Sequence, residues 1–237
     1  MKPQAVIITP VKDSIETTIQ TAAAIAKSSV PVEHLIFDDF SSAKSVAELE
    51  KYKTRFGYKL IHLSEHTKSP SPNYKLVLQM AQKYALSKNL PLIVIESDVF
   101  IKKDTVKSLL DFEAANTDAG LVGAITVDTH GEINFPYLKF KRTDAVTFST
   151  DRSLSFCCTL MSLDLLKSFN FTELDQSKHW FDTFISKKSK EVGFQNYVLK
   201  DLPVVHQPHS SRPWKQMKYS NPFKYYLDKM LNGRDRI

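Results

Sequence analysis

Leu92-Ile93-Val94-Ile95-Glu96-Ser97-Asp98-Val99 decides the fold, because four aliphatic residues run without interruption into two carboxylates. An apolar run that does not alternate suits a strand covered on both faces, as in the parallel sheet of an α/β domain. In such sheets ligands gather outside the carboxyl ends of the strands, which is where Glu96 and Asp98 fall. Two carboxylates one residue apart can hold a hard divalent cation, and the cation can hold phosphate oxygens. The competing reading is a helix start, with Asp98 or Asp104 capping a helix over 105–112.

Upstream of this stretch the same unit repeats. Ala5-Val6-Ile7-Ile8-Thr9 reads as a buried strand closed by Pro10, and residues 14–27 carry Ile15, Ile19, Ala22, Ala23 and Ile25 at near-helical spacing. His34-Leu35-Ile36-Phe37 is a second strand, again ending in paired acids, Asp38-Asp39. Ser41-Ser42 caps a helix through Tyr52, and 59–63 is a third strand. The two prolines and small polar residues of 67–73 make a loop, followed by a helix over 74–87 with Leu76, Val77, Met80, Ala81, Tyr84 and Ala85 on one face. Four strands separated by helices predict a parallel sheet with right-handed crossovers. Downstream the rhythm changes: strands at 120–127, 146–149, 156–161 and 197–199 are mixed with helices at 162–168 and 175–192, the latter ending at Gly193. The expected class is therefore α/β, a mostly parallel sheet flanked by helices with a mixed second half.

The 237 residues suffice for one sizeable core, and 42% hydrophobic with 24% charged residues is the composition of a folded chain. No apolar run approaches the roughly 20 residues that span a bilayer. The N-terminus passes straight into the first strand, so no signal peptide is expected. Cys157 and Cys158 are adjacent, too close for an ordinary disulfide, and read as buried thiols in a reducing, cytoplasmic compartment. The net charge of +6 is concentrated after residue 211, where seven Lys and Arg face two Asp, so the preceding body is nearly neutral. A nucleic-acid-binding module would spread that charge over a reading surface. The absence of a G-x-G-x-x-G after the first strand argues against a dinucleotide-dependent oxidoreductase. A nucleotidyltransferase would show a Gly-rich basic signature where this chain has Pro10-Val11-Lys12-Asp13.

Taken in order, the landmarks resemble an inverting family 2 glycosyltransferase of the GT-A fold. Val6-Ile7-Ile8-Thr9-Pro10-Val11 resembles that family's first strand and Pro turn, 35–42 (Leu-Ile-Phe-Asp-Asp-Phe-Ser-Ser) its second strand, and Glu96-Ser97-Asp98 its Asp-x-Asp motif. Phe181-Asp182, eleven residues before Gly193-Phe194, resembles the Glu-Asp segment preceding a Gly-aromatic turn, and Val204-Val205-His206 the late strand whose histidine approaches the metal. The resemblance covers about 5–206. It implies a GT-A, Rossmann-like domain over 1–211, with a nucleotide-binding half over 1–100 and an acceptor-binding half over 101–211, and a basic aromatic tail over 212–237.

The resemblance also implies roles. Thr9, Pro10 and Asp39 would meet the uridine of a UDP-sugar, Asp39 in preference to Asp38, whose alternative is to cap the next helix. Asp98 and His206 would ligate Mn2+ or Mg2+ bridging the diphosphate, with Glu96 and Ser97 at the ribose or a metal-bound water. Lys75 would approach the diphosphate or base, or stand solvated on its helix. Asp182 is the candidate general base that takes the acceptor hydroxyl's proton, or else an ordinary first-turn helix acid. Trp180 would stack on a sugar or pack in the core, and His209 is a second choice to His206. The chain departs from the family pattern at Phe40, where a glycine is usual, at Glu96 in place of the first aspartate, and at Phe181 in place of a glutamate. The tail interleaves Arg212, Lys215, Lys218, Lys224 and Lys229 with Trp214, Tyr219, Phe223, Tyr225, Tyr226 and Leu227. It suits peripheral contact with the inner face of an anionic membrane, near a saccharide or lipid-linked acceptor, or a helix docked on its own domain.

Overall fold

The computed structural model describes residues 2–175, 180–207 and 221–231. The strands are β1 (Ala5–Val11), β2 (Val32–Asp38), β3 (Lys59–His62), β4 (Leu92–Ile95), β5 (Val99–Phe100), β6 (Ala119–Val127), β7 (Thr147–Ser149), β8 (Cys158–Met161) and β9 (Gln195–His206). The helices are α1 (Ile15–Ile25), α2 (Ala43–Phe56), α3 (Tyr74–Lys88), α4 (Thr105–Ala115), α5 (Leu163–Ser168), α6 (Phe181–Glu191) and α7 (Pro222–Leu231). One sheet runs in the order β3-β2-β1-β4-β8-β6-β9-β5, with β7 also paired to β9. As the four leading strand-helix units predict, β1 to β4 are mutually parallel. The mixed half begins at β8, which lies antiparallel between β4 and β6.

The aliphatic run of β4 is buried on both faces because helices cover both. Val6, Ile8 and Val94 pack with Leu78 and Ala81 of α3, Leu165 of α5 and Ile185 of α6. The alternate side chains Ala5, Ile7 and Ile93 pack with Ile25 of α1 and Val106 and Leu109 of α4. Ser42 caps α2, its hydroxyl accepting from the Ser45 amide, and Ser162 caps α5 in the same way. Asp104 occupies the N-cap position of α4 without a side-chain capping bond, and Asp98 is not a cap. Gly193, at φ +97°, supplies the left-handed turn after α6, and the chain then crosses Gly120, where a Cβ would lie 2.6 Å from that of Phe194.

Several boundaries differ from the sequence expectation for physical reasons. Pro10 lies inside β1, opposite Phe37, rather than closing it. It falls two residues past the last β1 residue paired to β4, Ile8, so its missing N–H breaks no bond of that ladder. The helix expected over 175–192 begins at Phe181; residues 176–179 lie outside the described residues. β9 is twelve residues long instead of three. A register shift between Ala124 and Ile125 of β6 absorbs Lys200 to Leu202, so the charges there hide a strand that continues on either side. Cys157 and Cys158 are buried free thiols. His209, the boundary at 211/212, and tail residues 212–220 and 232–237 lie outside the described residues; within the tail α7 is helical, with Phe223, Tyr226, Leu227 and Leu231 exposed.

His34 of β2 is enclosed in this core, its Nε2 3.0 Å from Thr9 Oγ1 and its ring edge-on to Tyr58. Burial lowers its pKa to about 3. Between the unfolded value of about 6.5 and the folded one, the unfolded chain binds a proton that the folded chain refuses, so stability falls as pH falls. Urea denaturation from pH 7 to 4.5 should show His34→Gln losing less stability than the parent, by up to about 1.4 kcal/mol per pH unit below 6. Identical pH slopes for the two proteins would clear His34 of that role.

Candidate active site

The carboxyl end of β4 and the end of β9 meet. The Glu96 amide donates to the Cys157 carbonyl at 3.0 Å, and the Cys157 thiol donates back to Glu96 Oε2 at 3.3 Å. β5 is held against β9 by the pairing of Val99 with His206, and the Gln207 amide donates to the Asp98 carbonyl at 3.0 Å. These bonds put buried Asp98 and buried His206 face to face, Oδ2 to Nε2 at 3.6 Å. His206 Nδ1 donates to the Phe135 carbonyl at 2.7 Å, which turns Nε2 toward the carboxylates. Burial disfavours the imidazolium, but the bond to Asp98 and the charges of Asp98 and Glu96 outweigh it and raise the His206 pKa. Burial, and then the Glu96 charge, push the Cys157 thiol well above its ordinary range. The donor atoms of Glu96, Cys157 and His206 all lie within 4.8 Å of one another. An oriented imidazole among carboxylates fits a divalent cation. Ser97 is buried between Glu96 and Asp98.

The end of β2 forms a second group. Asp38 is occupied structurally: Oδ1 accepts from the Ser41 amide at 3.0 Å and Oδ2 lies 3.1 Å from His62 Nδ1. Asp39 ties down the Pro-rich loop, Oδ2 accepting from the Ser71 hydroxyl (2.7 Å) and the Asn73 amide (2.9 Å), and Oδ1 from Asn73 Nδ2 (2.7 Å). Three of its roughly four acceptor positions are thus used within the chain. Phe40 has φ +61°, so the backbone keeps the left-handed conformation that a glycine would adopt freely. Thr9 is wholly buried with its hydroxyl on His34, and its side chain does not join this group. Pro10 is half-buried at the strand end, and Lys75 is half-buried in the first turn of α3, two residues after Asn73.

Contacts continue from there to α6. Tyr74 packs against Phe181, ring centroids 6.2 Å apart, which places Asp182 beside the start of α3. Asp182 is half-buried, Oδ1 accepting from the Thr183 amide at 2.8 Å, and the Lys139 ammonium lies within electrostatic reach. The Ser186 hydroxyl donates to the Asp182 carbonyl and accepts from the Leu154 amide, fastening α6 to the segment that enters Cys157. Trp180 stands half-buried at the N-cap position. Asp39, Asp182, Glu96, Asp98 and His206 therefore border one edge of the sheet. A cavity lined by Lys2, Val32, His34, Lys59 and Lys88 opens at the opposite edge, away from these acids.

Sequence reasoning missed Cys157, Asn73 and Lys139. Only the paired cysteines carried a signal, and they read as core thiols; the reversal of β8 that brings Cys157 to Glu96 has no local mark.

The chain matches the family model described as Glycosyl transferase family 2 over residues 6–169. No curated protein matches the sequence significantly. The fold is similar to that of PcManGT, a mannosyltransferase from Pyrobaculum calidifontis solved with GDP-Man and Mn2+ (TM-score 0.68, 12% identity, 97% of this chain and 65% of that one). It is also similar to residues 1–349 of S. aureus TarS solved with UDP (TM-score 0.66, 18% identity, 91% and 63%). GalNAc-T7, solved with UDP, GalNAc and Mn2+, has TM-score 0.64 and 13% identity over 86% of this chain and 44% of its own. The chain thus spans less than two thirds of each of these proteins, and at such identities the likeness is one of fold.

The three bonds to Asp39 predict that Asp39→Ala releases the loop before α3. The protein should lose about 2–3 kcal/mol, the scale of losing hydrogen bonds to a charged group, and the Asn73 amide should exchange with solvent much faster. An Asn73 amide that stays protected would show that something else holds the loop.

Proposed function

Because the chain belongs to Glycosyl transferase family 2, we propose that it transfers one sugar from a nucleotide-sugar donor, a UDP-sugar, to a saccharide or lipid-linked saccharide acceptor with inversion. The observation that carries the reading is the meeting of Asp98 and His206 at the carboxyl edge, with Asp182 on the same edge. UDP is the nucleotide in the TarS and GalNAc-T7 structures, and Mn2+ is the ion in those of PcManGT and GalNAc-T7. The half over 1–100 takes the nucleotide and the half over 101–211 takes the acceptor.

In this reading Asp98 and His206 hold Mn2+ or Mg2+, which when bound neutralises the charge growing on the departing nucleoside diphosphate. The Phe135 carbonyl keeps the His206 proton on Nδ1, so Nε2 presents a lone pair. Glu96 and Ser97 line the ribose side. Pro10 and Asp39 frame the base end, Asp39 through the loop it holds at Asn73 and through its remaining acceptor position. Lys75, on the neighbouring first turn, supplies positive charge toward the diphosphate. Asp182 accepts the proton of the attacking hydroxyl on the face opposite the leaving group. Trp180, beside it, offers a flat apolar surface to a sugar ring.

No helix among the described residues is long and apolar enough to cross a membrane. The exposed Phe223, Leu227 and Leu231 recur on α7 within a basic tail, which supports peripheral contact with anionic lipid.

A panel of nucleotide sugars, read by nucleoside diphosphate release with and without EDTA, should single out a UDP-sugar and require the ion. Asp182→Asn should leave UDP binding nearly intact while turnover falls about 10²-fold or more; unchanged turnover removes Asp182 from the mechanism. In Asp98→Asn the Mn2+-dependent thermal stabilisation by UDP should vanish.

A further inference from the structure

We infer that Cys157 is a ligand of the ion at this site, so that the site takes thiophilic divalent cations, Zn2+ and Co2+, in preference to Mg2+. The inference rests on the metal reading above and extends it to a residue that reading does not use. Cys157 Sγ is 3.3 Å from Glu96 Oε2, and both lie with His206 Nε2 in one cluster of donors. The thiol is buried and held there by backbone: β8 begins one residue later, and the Cys157 carbonyl accepts from the Glu96 amide. The sulfur is held on its other side by Ser155 Oγ at 3.4 Å, and the residue is almost wholly enclosed.

The ligand types set the preference. Carboxylate and water suit Mg2+, whereas thiolate with imidazole suits Zn2+ and its neighbours in the first transition row. Glu96, Cys157 and His206, whose donor atoms cluster within 4.8 Å, offer one oxygen, one sulfur and one nitrogen, three ligands that zinc accepts with a fourth position to spare. The thiol proton, directed at Glu96, leaves to solvent as the metal–sulfur bond forms. Zn2+ held by these three shares His206 with the Mn2+ reading, so Zn2+ should compete with Mn2+ for the site.

The test is the absorption spectrum of the full chain titrated with Co2+, where a thiolate ligand gives an intense near-ultraviolet charge-transfer band. The band should appear in the parent and in Cys158→Ala. It should be absent from Cys157→Ser while Co2+ still binds, as judged by equilibrium dialysis, and circular dichroism checks that each variant is folded. Zn2+ affinity should fall in Cys157→Ser by at least the roughly 10-fold that losing even an outer-shell partner costs. Co2+ bound to the parent without the band, or a band that survives Cys157→Ser, overturns the role of Cys157 and leaves the metal reading standing. A parent that binds no Co2+, Zn2+ or Mn2+ overturns both. Should Cys157→Ser not fold, Cys157→Ala, which leaves no polar atom in the buried position, decides in the same way: a retained band overturns the inference.

Discussion

The antiparallel pairing of β8 with β4 is the constraint on which the rest depends. Up to Ile95 the sheet is a series of parallel strands, and a further parallel strand beside β4 would arrive from the amino edge. β8 instead runs the other way, pairing Cys158 with Ile95 and Met161 with Leu92. Its entering segment must therefore lie at the carboxyl edge, where Glu96 and Asp98 already are. Leu154 in that segment is bonded to Ser186, so the reversal of one four-residue strand also fixes where α6 and Asp182 stand.

A second joint, between β5 and β9, closes the site from the other side. Two residues of strand would contribute little by themselves, and β5 persists because its partners are buried and satisfied. Val99 is fully enclosed, its carbonyl accepts from the Thr21 hydroxyl, and the Asp98 carbonyl takes the Gln207 amide. The outcome is that Asp98 and His206, more than a hundred residues apart in sequence, are set by backbone bonds rather than by their own side chains. Side chains preorganised in this way do not have to be gathered by a ligand, which removes part of the ordering cost of any binding there.

The parallel half of the fold was legible because its signals are local: aliphatic runs, helical spacing, and Ser42 as a cap. The end of β9 at His206 was legible as an apolar run, while its middle was not, since Lys200 and Asp201 sit in a bulge that removes them from the ladder. Among the candidate site residues, the acids at strand ends were legible as strand-end acids by position. The orientation of Thr9 was not legible, because in a strand buried on both faces nothing in the sequence tells which face a side chain takes; here it faces the core and His34. Cys157 was hidden for a different reason. Strand direction leaves no trace in the residues of β8, and without it the cysteine has no relation to Glu96.

Phe40 shows what a motif position encodes. The resemblance leads one to expect glycine there, and a phenylalanine in the left-handed region costs about 1–2 kcal/mol that glycine avoids. The conformation survives because its flanks over-determine it. Asp38 accepts from the Ser41 amide on one side, Asp39 holds Ser71 and Asn73 on the other, and Lys12 reaches the Phe40 carbonyl from the first strand's loop. The ring recovers part of the cost by packing on the core beside Asp39. What the position specifies is thus a backbone direction that turns the Asp39 carboxylate toward the loop before α3. A residue other than glycine can hold it where the neighbouring acids enforce that direction, so the loss of a family glycine here leaves the local backbone turn intact.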